Sequence, residues 1–296
     1  MVQQIKNVAV IGSGLMGSGI AQVTAYAGFL VTLVDIKKEI LEVALKKMEE
    51  RVLKEAKEKF NGNEQSQRKF VQDVIQRIRI TTDVESAVSN ADLVIEAIVE
   101  NLEIKQRLFQ KVEAIAPSHC ILATNTSSLK LSDIGKYLNR KSQFGGLHFF
   151  TPVPKMQLLE VVQTSDTSES TLEALKWFGN KIEKVVVICK DTPGFIVNRL
   201  LIPYMSESMA LADRGVASIE DIDTAVKLGL HFPIGPFELA DFIGLDIALS
   251  IQNGSREHYP EEYNKLPHSK MLEKLVSEGN LGRKTGKGFY DYRSKL

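Results

Sequence analysis

The sequence predicts an α/β fold: a doubly wound, mostly parallel sheet with a helical-hairpin insertion, followed by an all-helical second domain. Three observations carry this. A strand, a glycine-rich turn, a helix and a second strand follow one another at the start of the chain. Apolar runs and amphipathic helices then alternate to about residue 190. Beyond Asp191 only helical periodicity remains. The expected domains are therefore residues 1–190 and 191–296.

The first unit is the most specific. Val8-Ala9-Val10-Ile11 reads as a buried parallel strand, and Gly12-Ser13-Gly14-Leu15-Met16-Gly17 leads from it into a helix. Leu30-Val31-Thr32-Leu33-Val34 is the next strand, ending at Asp35. Together these make the full fingerprint of a Rossmann-type dinucleotide site. Gly12 permits the tight turn, Gly14 lets the backbone approach a pyrophosphate, and Gly17 lets helix and strand pack closely. The helix N-terminus presents free N–H groups to the phosphates. Gly12, Gly14, Leu15, Met16, Gly17 and Asp35 are thus the candidate cofactor contacts. A carboxylate at Asp35 accepts both ribose hydroxyls of NAD but faces the 2′-phosphate of NADP. At about 4 Å that repulsion is about 4 kcal/mol at an effective dielectric near 20. Ile36-Lys37-Lys38 offers no arginine to reverse the preference, so NAD is expected.

The charged stretch from Lys38 to Phe60 carries apolar residues at three- and four-residue steps and reads as an amphipathic helix. Asn61-Gly62-Asn63 breaks it, and a second helix continues to about Arg77. This hairpin is either a solvated face or a landing surface for a phosphorylated ligand. Strands are then expected at 78–81, 93–97, 121–124, 145–150, 158–162 and 184–188, with helices between them such as 101–115 and 168–183. From Pro193 an apolar helix is expected to run to Arg214 and stop at Gly215. Further helices follow: one capped by Ser218, one from Pro236 and one near His268.

Bulk properties narrow the function. The chain of 296 residues carries 37 Lys+Arg against 37 Asp+Glu, so no net field points to nucleic acid or an anionic membrane. Two cysteines, Cys120 and Cys189, with no C-x-x-C spacing, argue for a reducing compartment and against a structural metal. No apolar run reaches the roughly eighteen residues of a membrane span. The first strand begins too early for a signal or transit peptide in this chain, so the mitochondrial matrix (for a processed eukaryotic protein) and the cytoplasm both remain open.

Four polar residues stand where packing alone does not choose them. Ser127 lies just beyond the strand ending at Thr124, where open α/β sheets bind ligands. His148 sits between Leu147 and Phe149, and Glu160 between Leu159 and Val161. Asn198 belongs to an apolar helix. Each has a bland alternative: a core histidine, a salt bridge from Glu160 to Lys155, a helix cap at Ser127, a backbone hydrogen bond at Asn198. A buried carboxylate is expensive unless paired, and His148 is the obvious partner for Glu160. Beside an NAD site, such a pair is what removal of an alcohol proton requires as a hydride leaves the same carbon.

The segments Asn125-Thr126-Ser127-Ser128-Leu129, Gly146-Leu147-His148-Phe149-Phe150, Lys190-Asp191-Thr192-Pro193-Gly194-Phe195-Ile196-Val197-Asn198-Arg199 and Gly235-Pro236-Phe237-Glu238, in this order, resemble the short-chain L-3-hydroxyacyl-CoA dehydrogenase family. The resemblance extends through Gly282-Arg283-Lys284-Thr285-Gly286. It implies reversible NAD-dependent oxidation of (S)-3-hydroxyacyl-CoA, in fatty-acid β-oxidation or butanoate metabolism. His148 is the implied general base, Glu160 its orienting partner, and Ser127 and Asn198 hydrogen-bond substrate oxygens. Further cofactor contacts are implied at Glu100, Lys105, Ser127, Thr151 and Lys284, the last from the C-terminal segment. An acyl-CoA substrate is implied; the apolar helix 193–214 and its neighbours, with more buried face than one small domain covers, separately predict a homodimer through the second domain.

Two departures stand out. Thr151 replaces the asparagine usual after the paired phenylalanines. Where relatives contact coenzyme A with serine and lysine, this chain has Arg51 and Glu58, so Arg51, Lys57 and Ser127 are its candidate coenzyme A contacts. Those changes motivate the rival reading of a dehydrogenase of a free hydroxy acid such as L-gulonate. A non-enzymatic, crystallin-like NAD-binding protein is a second rival, against which the Ser127–His148–Glu160–Asn198 set argues.

Overall fold

The computed structural model describes residues 5–293. The chain divides into two compact units between Phe195 and Ile196. The first holds strands β1 (Asn7–Ile11), β2 (Leu30–Val34), β3 (Ile78–Thr81), β4 (Leu93–Glu96), β5 (Ile121–Thr124), β6 (Phe144–Phe149), β7 (Leu158–Gln163) and β8 (Val185–Lys190). Its helices are α1 (Leu15–Tyr26), α2 (Lys38–Lys59), α3 (Glu64–Ile75), α4 (Val84–Val88), α5 (Leu102–Ile115), α6 (Leu131–Ile134) and α7 (Glu169–Lys181). The strands form one eight-stranded sheet in the order β3-β2-β1-β4-β5-β6-β7-β8. The first six are parallel, β7 runs antiparallel to β6, and β8 is parallel to β7. This is the doubly wound order of a dinucleotide-binding sheet with two strands added at one edge.

The central strands are buried on both faces, as their unbroken apolar runs require. One face packs Val8, Val10, Leu33, Leu93 and Ile95 against α1, the hairpin and α7. The other packs Ala9, Val34, Val94 and Leu122 against α4, α5 and α6. Side-chain caps fix several helix starts: Asn63, Asp83, Asn101 and Ser168 each accept a backbone N–H at the first turn of α3, α4, α5 and α7. The hairpin α2–α3 turns through Asn61-Gly62-Asn63, as expected from the sequence.

The second unit contains α8 (Val197–Asp213), α9 (Ile219–Gly229), α10 (Pro236–Ile243), α11 (Leu245–His258), α12 (Pro260–Tyr263) and α13 (Lys270–Ser277). Ser218 caps α9 by accepting from the Asp221 N–H. Three expectations change. The long helix does not begin at Pro193, because Gly194 and Phe195 take left-handed φ values of 78° and 52°, which no α-helix tolerates. Nor is it buried all round, since Leu200 is 70% exposed. Residues 191–195 also stay with the first unit rather than opening the second. The Asp191 carboxylate accepts the N–H groups of Leu131 and Ser132 at 2.7 and 2.8 Å, and Phe195 joins the α4–α6 side of the core.

Candidate active site

Strand order reverses between β1 and β4, and the crevice at that point opens beside the N-terminus of α1. Its walls leave no room for side chains at two of the three fingerprint glycines. A Cβ on Gly12, whose φ is 104°, meets the Ala97 carbonyl oxygen at 2.4 Å, and one on Gly17 meets the Gly12 oxygen at 1.8 Å. A Cβ on Gly14, by contrast, would meet nothing within 4 Å beyond its own stretch of chain, so that side of its backbone is open to a ligand. At the end of β2, Asp35 Oδ2 accepts the Ser13 N–H at 2.8 Å and the Ser13 hydroxyl at 2.6 Å, and Oδ1 accepts the Ile36 N–H at 2.7 Å. Burial pushes the Asp35 carboxyl up, but these donors outweigh it and hold the group below its ordinary value. Met16 packs against the core, while Leu15 and Ile36 keep 72% and 82% of their surface exposed. A glycine cradle, a free helix N-terminus, an ionised acid and exposed apolar side chains fit a dinucleotide.

The second station lies at β6 and β7. Antiparallel register sets His148 directly opposite Glu160, and His148 Nδ1 lies 2.6 Å from Glu160 Oε2. Glu160 is fully buried and His148 is 4% exposed. With Nδ1 donating to the carboxylate, the imidazole is held in one tautomer and Nε2 is left to accept a proton. The rings of Phe150 and Phe195 lie 4.5 and 5.5 Å from the imidazole. The carboxylate therefore pairs with His148, across the strands, rather than with Lys155.

The β5–α6 connection is tied to both. Asn125 Oδ1 accepts the Phe149 N–H at 2.9 Å, next to His148, and the Asn125 N–H donates to the Glu96 carbonyl at 2.8 Å. The Ser127 N–H points at Glu100 Oε1 at 3.2 Å. Burial raises the Glu100 carboxyl, but the Lys105 ammonium and hydrogen bonds from Thr126, Lys105 and Ser128 outweigh it and hold it low. Lys105 itself is 1% exposed and bridges Glu96 and Glu100 at 2.5 and 3.0 Å. Its ammonium faces these two carboxylates. Thr151 is exposed and precedes a cis peptide bond to Pro152.

The remaining sequence candidates lie elsewhere. Asn198 belongs to the second unit, in the first turn of α8, at a cavity of about 50 Å³ with Met205, Met209 and Ile251. Lys284 is also in the second unit, where both oxygens of Asp246 hold its ammonium at 2.5 and 2.7 Å. On α2, Arg51 Nε donates to Gln22 Oε1 at 2.9 Å, and its Nη2 is buried without a hydrogen-bond partner. Lys57 and Glu58 point to solvent. Beside Arg51 the Tyr26 hydroxyl donates to Glu55 at 2.5 Å. A cavity of about 420 Å³ opens there, lined by Tyr26, Glu55, Lys59, Phe70, Lys155 and Lys184 among others.

Sequence reading missed Glu96, Asn125 and Lys184. Glu96 carried a signal, since it is a carboxylate inside an apolar strand, the same pattern that singled out Glu160. Lys184 carried none; its ammonium donates to the carbonyls of Val153 and Met156 at 2.6 and 2.8 Å, a partnership set only by the folded loop. Among the described residues no His, Cys, Asp or Glu cluster can hold a metal ion, and no helix is long and apolar enough to cross a membrane.

Comparison with known proteins agrees along the whole chain. Residues 7–192 match the 3-hydroxyacyl-CoA dehydrogenase NAD binding domain, and residues 194–292 match the C-terminal domain of the same family. A human mitochondrial hydroxyacyl-coenzyme A dehydrogenase is 50% identical over 289 residues, or 98% of this chain and 92% of that protein. A 3-hydroxybutyryl-CoA dehydrogenase from Bradyrhizobium diazoefficiens is 39% identical over 294 residues, 99% of this chain and 97% of the other. The crystal structure of (S)-3-hydroxybutyryl-CoA dehydrogenase from Ralstonia eutropha aligns with a TM-score of 0.87 at 33% identity, covering 98% of this chain and 99% of that one.

Proposed function

Because the chain belongs to the 3-hydroxyacyl-CoA dehydrogenase family, we propose that its buried His148–Glu160 pair is the acid–base centre of that chemistry. The protein is an NAD-dependent oxidoreductase that converts a 3-hydroxyacyl-CoA to the 3-oxoacyl-CoA. His148 Nε2 takes the C3 hydroxyl proton, and Glu160 balances the imidazolium that forms. Ser127 and Asn198 donate to substrate oxygens and fix the C3 hydroxyl toward the imidazole. NAD, when bound, accepts the hydrogen and electron pair that leave C3. Gly12, Gly14, Leu15, Met16 and Gly17 hold its phosphates, Asp35 its adenosine ribose, and Glu100, Thr151 and Lys284 its other half, with Lys105 acting behind Glu100. In the reverse direction His148 returns the proton.

The coenzyme A part lies over the hairpin. Supporting this are the cavity of about 420 Å³ and the ammonium groups of Lys59 and Lys155 on its wall, with Arg51 and Lys57 on the same helix. The human relative is named mitochondrial. The matrix is the proposed location if this chain derives from a processed eukaryotic precursor, and the cytoplasm otherwise. The protein acts as a homodimer through its second unit.

The observation that carries this reading is the 2.6 Å contact between His148 and Glu160 in register across β6 and β7. Loss of absorbance at 340 nm with acetoacetyl-CoA tests it. Turnover with NADH at micromolar substrate, and at least tenfold less with NADPH, is expected. Activity confined to a free hydroxy acid would overturn it.

A further inference from the structure

Apart from the catalytic pair, the two most deeply buried charges among the described residues of the first unit, Lys105 and Glu96, pair with each other, and Glu100 joins them. Lys105, at the first turns of α5, has a side chain 1% exposed, and Glu96, the last residue of β4, has none exposed. Glu100, in the connection between them, is 36% exposed. Lys105 Nζ lies 2.5 Å from Glu96 Oε1 and 3.0 Å from Glu100 Oε2. Glu96 Oε1 also accepts the Ile98 N–H at 2.7 Å, and the second oxygen of Glu96 and Oε1 of Glu100 both hold one short segment. Glu96 Oε2 accepts the Thr124 hydroxyl at 2.7 Å. Glu100 Oε1 accepts the Thr126 hydroxyl, the N–H groups of Ser127 and Ser128 at 3.2 and 3.3 Å, and the Ser128 hydroxyl at 2.9 Å.

Two acids and one ammonium are a poor way to fill space. Burying charges is unfavourable unless geometry and hydrogen bonds compensate, and apolar residues of similar volume are often as stable or more so. What such a cluster supplies is one defined arrangement of whatever accepts and donates around it. Here that is the Thr124–Ser128 turn. The ammonium is too buried to meet a ligand itself, and two of its three protons already face carboxylates. We propose that Lys105, acting through Glu96 and Glu100, is a positioning residue for Ser127. The cation fixes both acids, the acids fix the turn, and the turn presents the Ser127 hydroxyl to the substrate. This inference rests on the assignment of Ser127 to a substrate oxygen.

A double-mutant cycle separates the two ideas. Steady-state kcat and KM for acetoacetyl-CoA are measured for the wild type, Lys105→Met, Ser127→Ala and the double variant. NADH fluorescence titration counts the folded sites in each. Lys105→Met is expected to lower kcat about tenfold or more, with KM for acetoacetyl-CoA changed less than the turnover. Adding it to Ser127→Ala is expected to cost less than twofold further, because the residue it positions is already gone. Lys105→Met combined with Glu96→Gln removes the charge imbalance and gives a second folded variant; it is expected to show the same loss. Normal kcat in either Lys105 variant, or losses that multiply in the cycle, overturns the positioning role. Normal kcat in Ser127→Ala overturns the assignment of Ser127 itself, and the positioning role with it.

Discussion

At the scale of single residues, the argument turns on where a proton can go. Glu160 is excluded from water, so its charge is tolerable only with a donor such as His148 Nδ1 at 2.6 Å. Replacing His148 by Gln removes the base while keeping polarity, and kcat is expected to fall by about 10²–10⁴. Glu160→Gln keeps a hydrogen bond but can donate to Nδ1 and select the wrong tautomer, so a loss of about 10²-fold or more is expected. Steady-state turnover with acetoacetyl-CoA measures both, and NADH titration is expected to show little change in cofactor affinity. Full turnover by His148→Gln would remove the base assignment. Both residues were legible in the sequence because an ionisable side chain between branched apolar neighbours is conspicuous. Their mutual distance was not, since it depends on the register of β6 against β7.

At the scale of elements, local patterns fixed existence and type better than ends. The hairpin with its break at Asn61-Gly62-Asn63, the cap at Ser218 and the parallel strands all follow from spacing. The start of α8 does not, because Pro193-Gly194 suggests a helix opening while the left-handed φ values at Gly194 and Phe195 delay it to Val197. The burial of Lys105 was illegible for a similar reason: its place in a motif says nothing about how far α5 sinks it. The β4–α5 connection has a pH signature. The Glu100 carboxyl is held below its ordinary value of about 4.3. Its folded form therefore binds fewer protons than the unfolded chain, and the resulting stability is fully present above that value and lost as pH falls through the lower, folded one. The urea midpoint of Glu100→Gln is expected to trail the wild type by a constant margin between pH 6 and 8, and by a shrinking margin below about pH 4. A margin unchanged down to pH 3 would show that the ion pair with Lys105 contributes nothing through charge.

At the scale of the whole molecule, the second unit sets the question of assembly. Its buried cluster is small: Met205, Met209, Ile222, Phe237, Ala240, Leu245 and Leu272, with partly buried neighbours. Large apolar side chains remain on its surface from four helices: Leu200 on α8 at 70%, Leu228 on α9 at 78%, Phe242 on α10 at 58% and Ile247 on α11 at 46%. Scattered apolar residues are normal on a monomer, but so many in a unit of this size are what the proposed homodimer would cover. A second copy is the occupant that closed symmetry favours, with the same patch contributed by both partners. Burying a leucine contributes about 1.5–3 kcal/mol, so a charge in its place raises the dissociation constant by about tenfold or more at each site. Light scattering at micromolar concentration is expected to give twice the chain mass for the wild type. For Leu200→Glu combined with Leu228→Glu it is expected to fall toward the single-chain mass, with the circular dichroism of the helices unchanged. A wild-type monomer at that concentration overturns the dimer. A variant that stays dimeric moves the interface off α8 and α9.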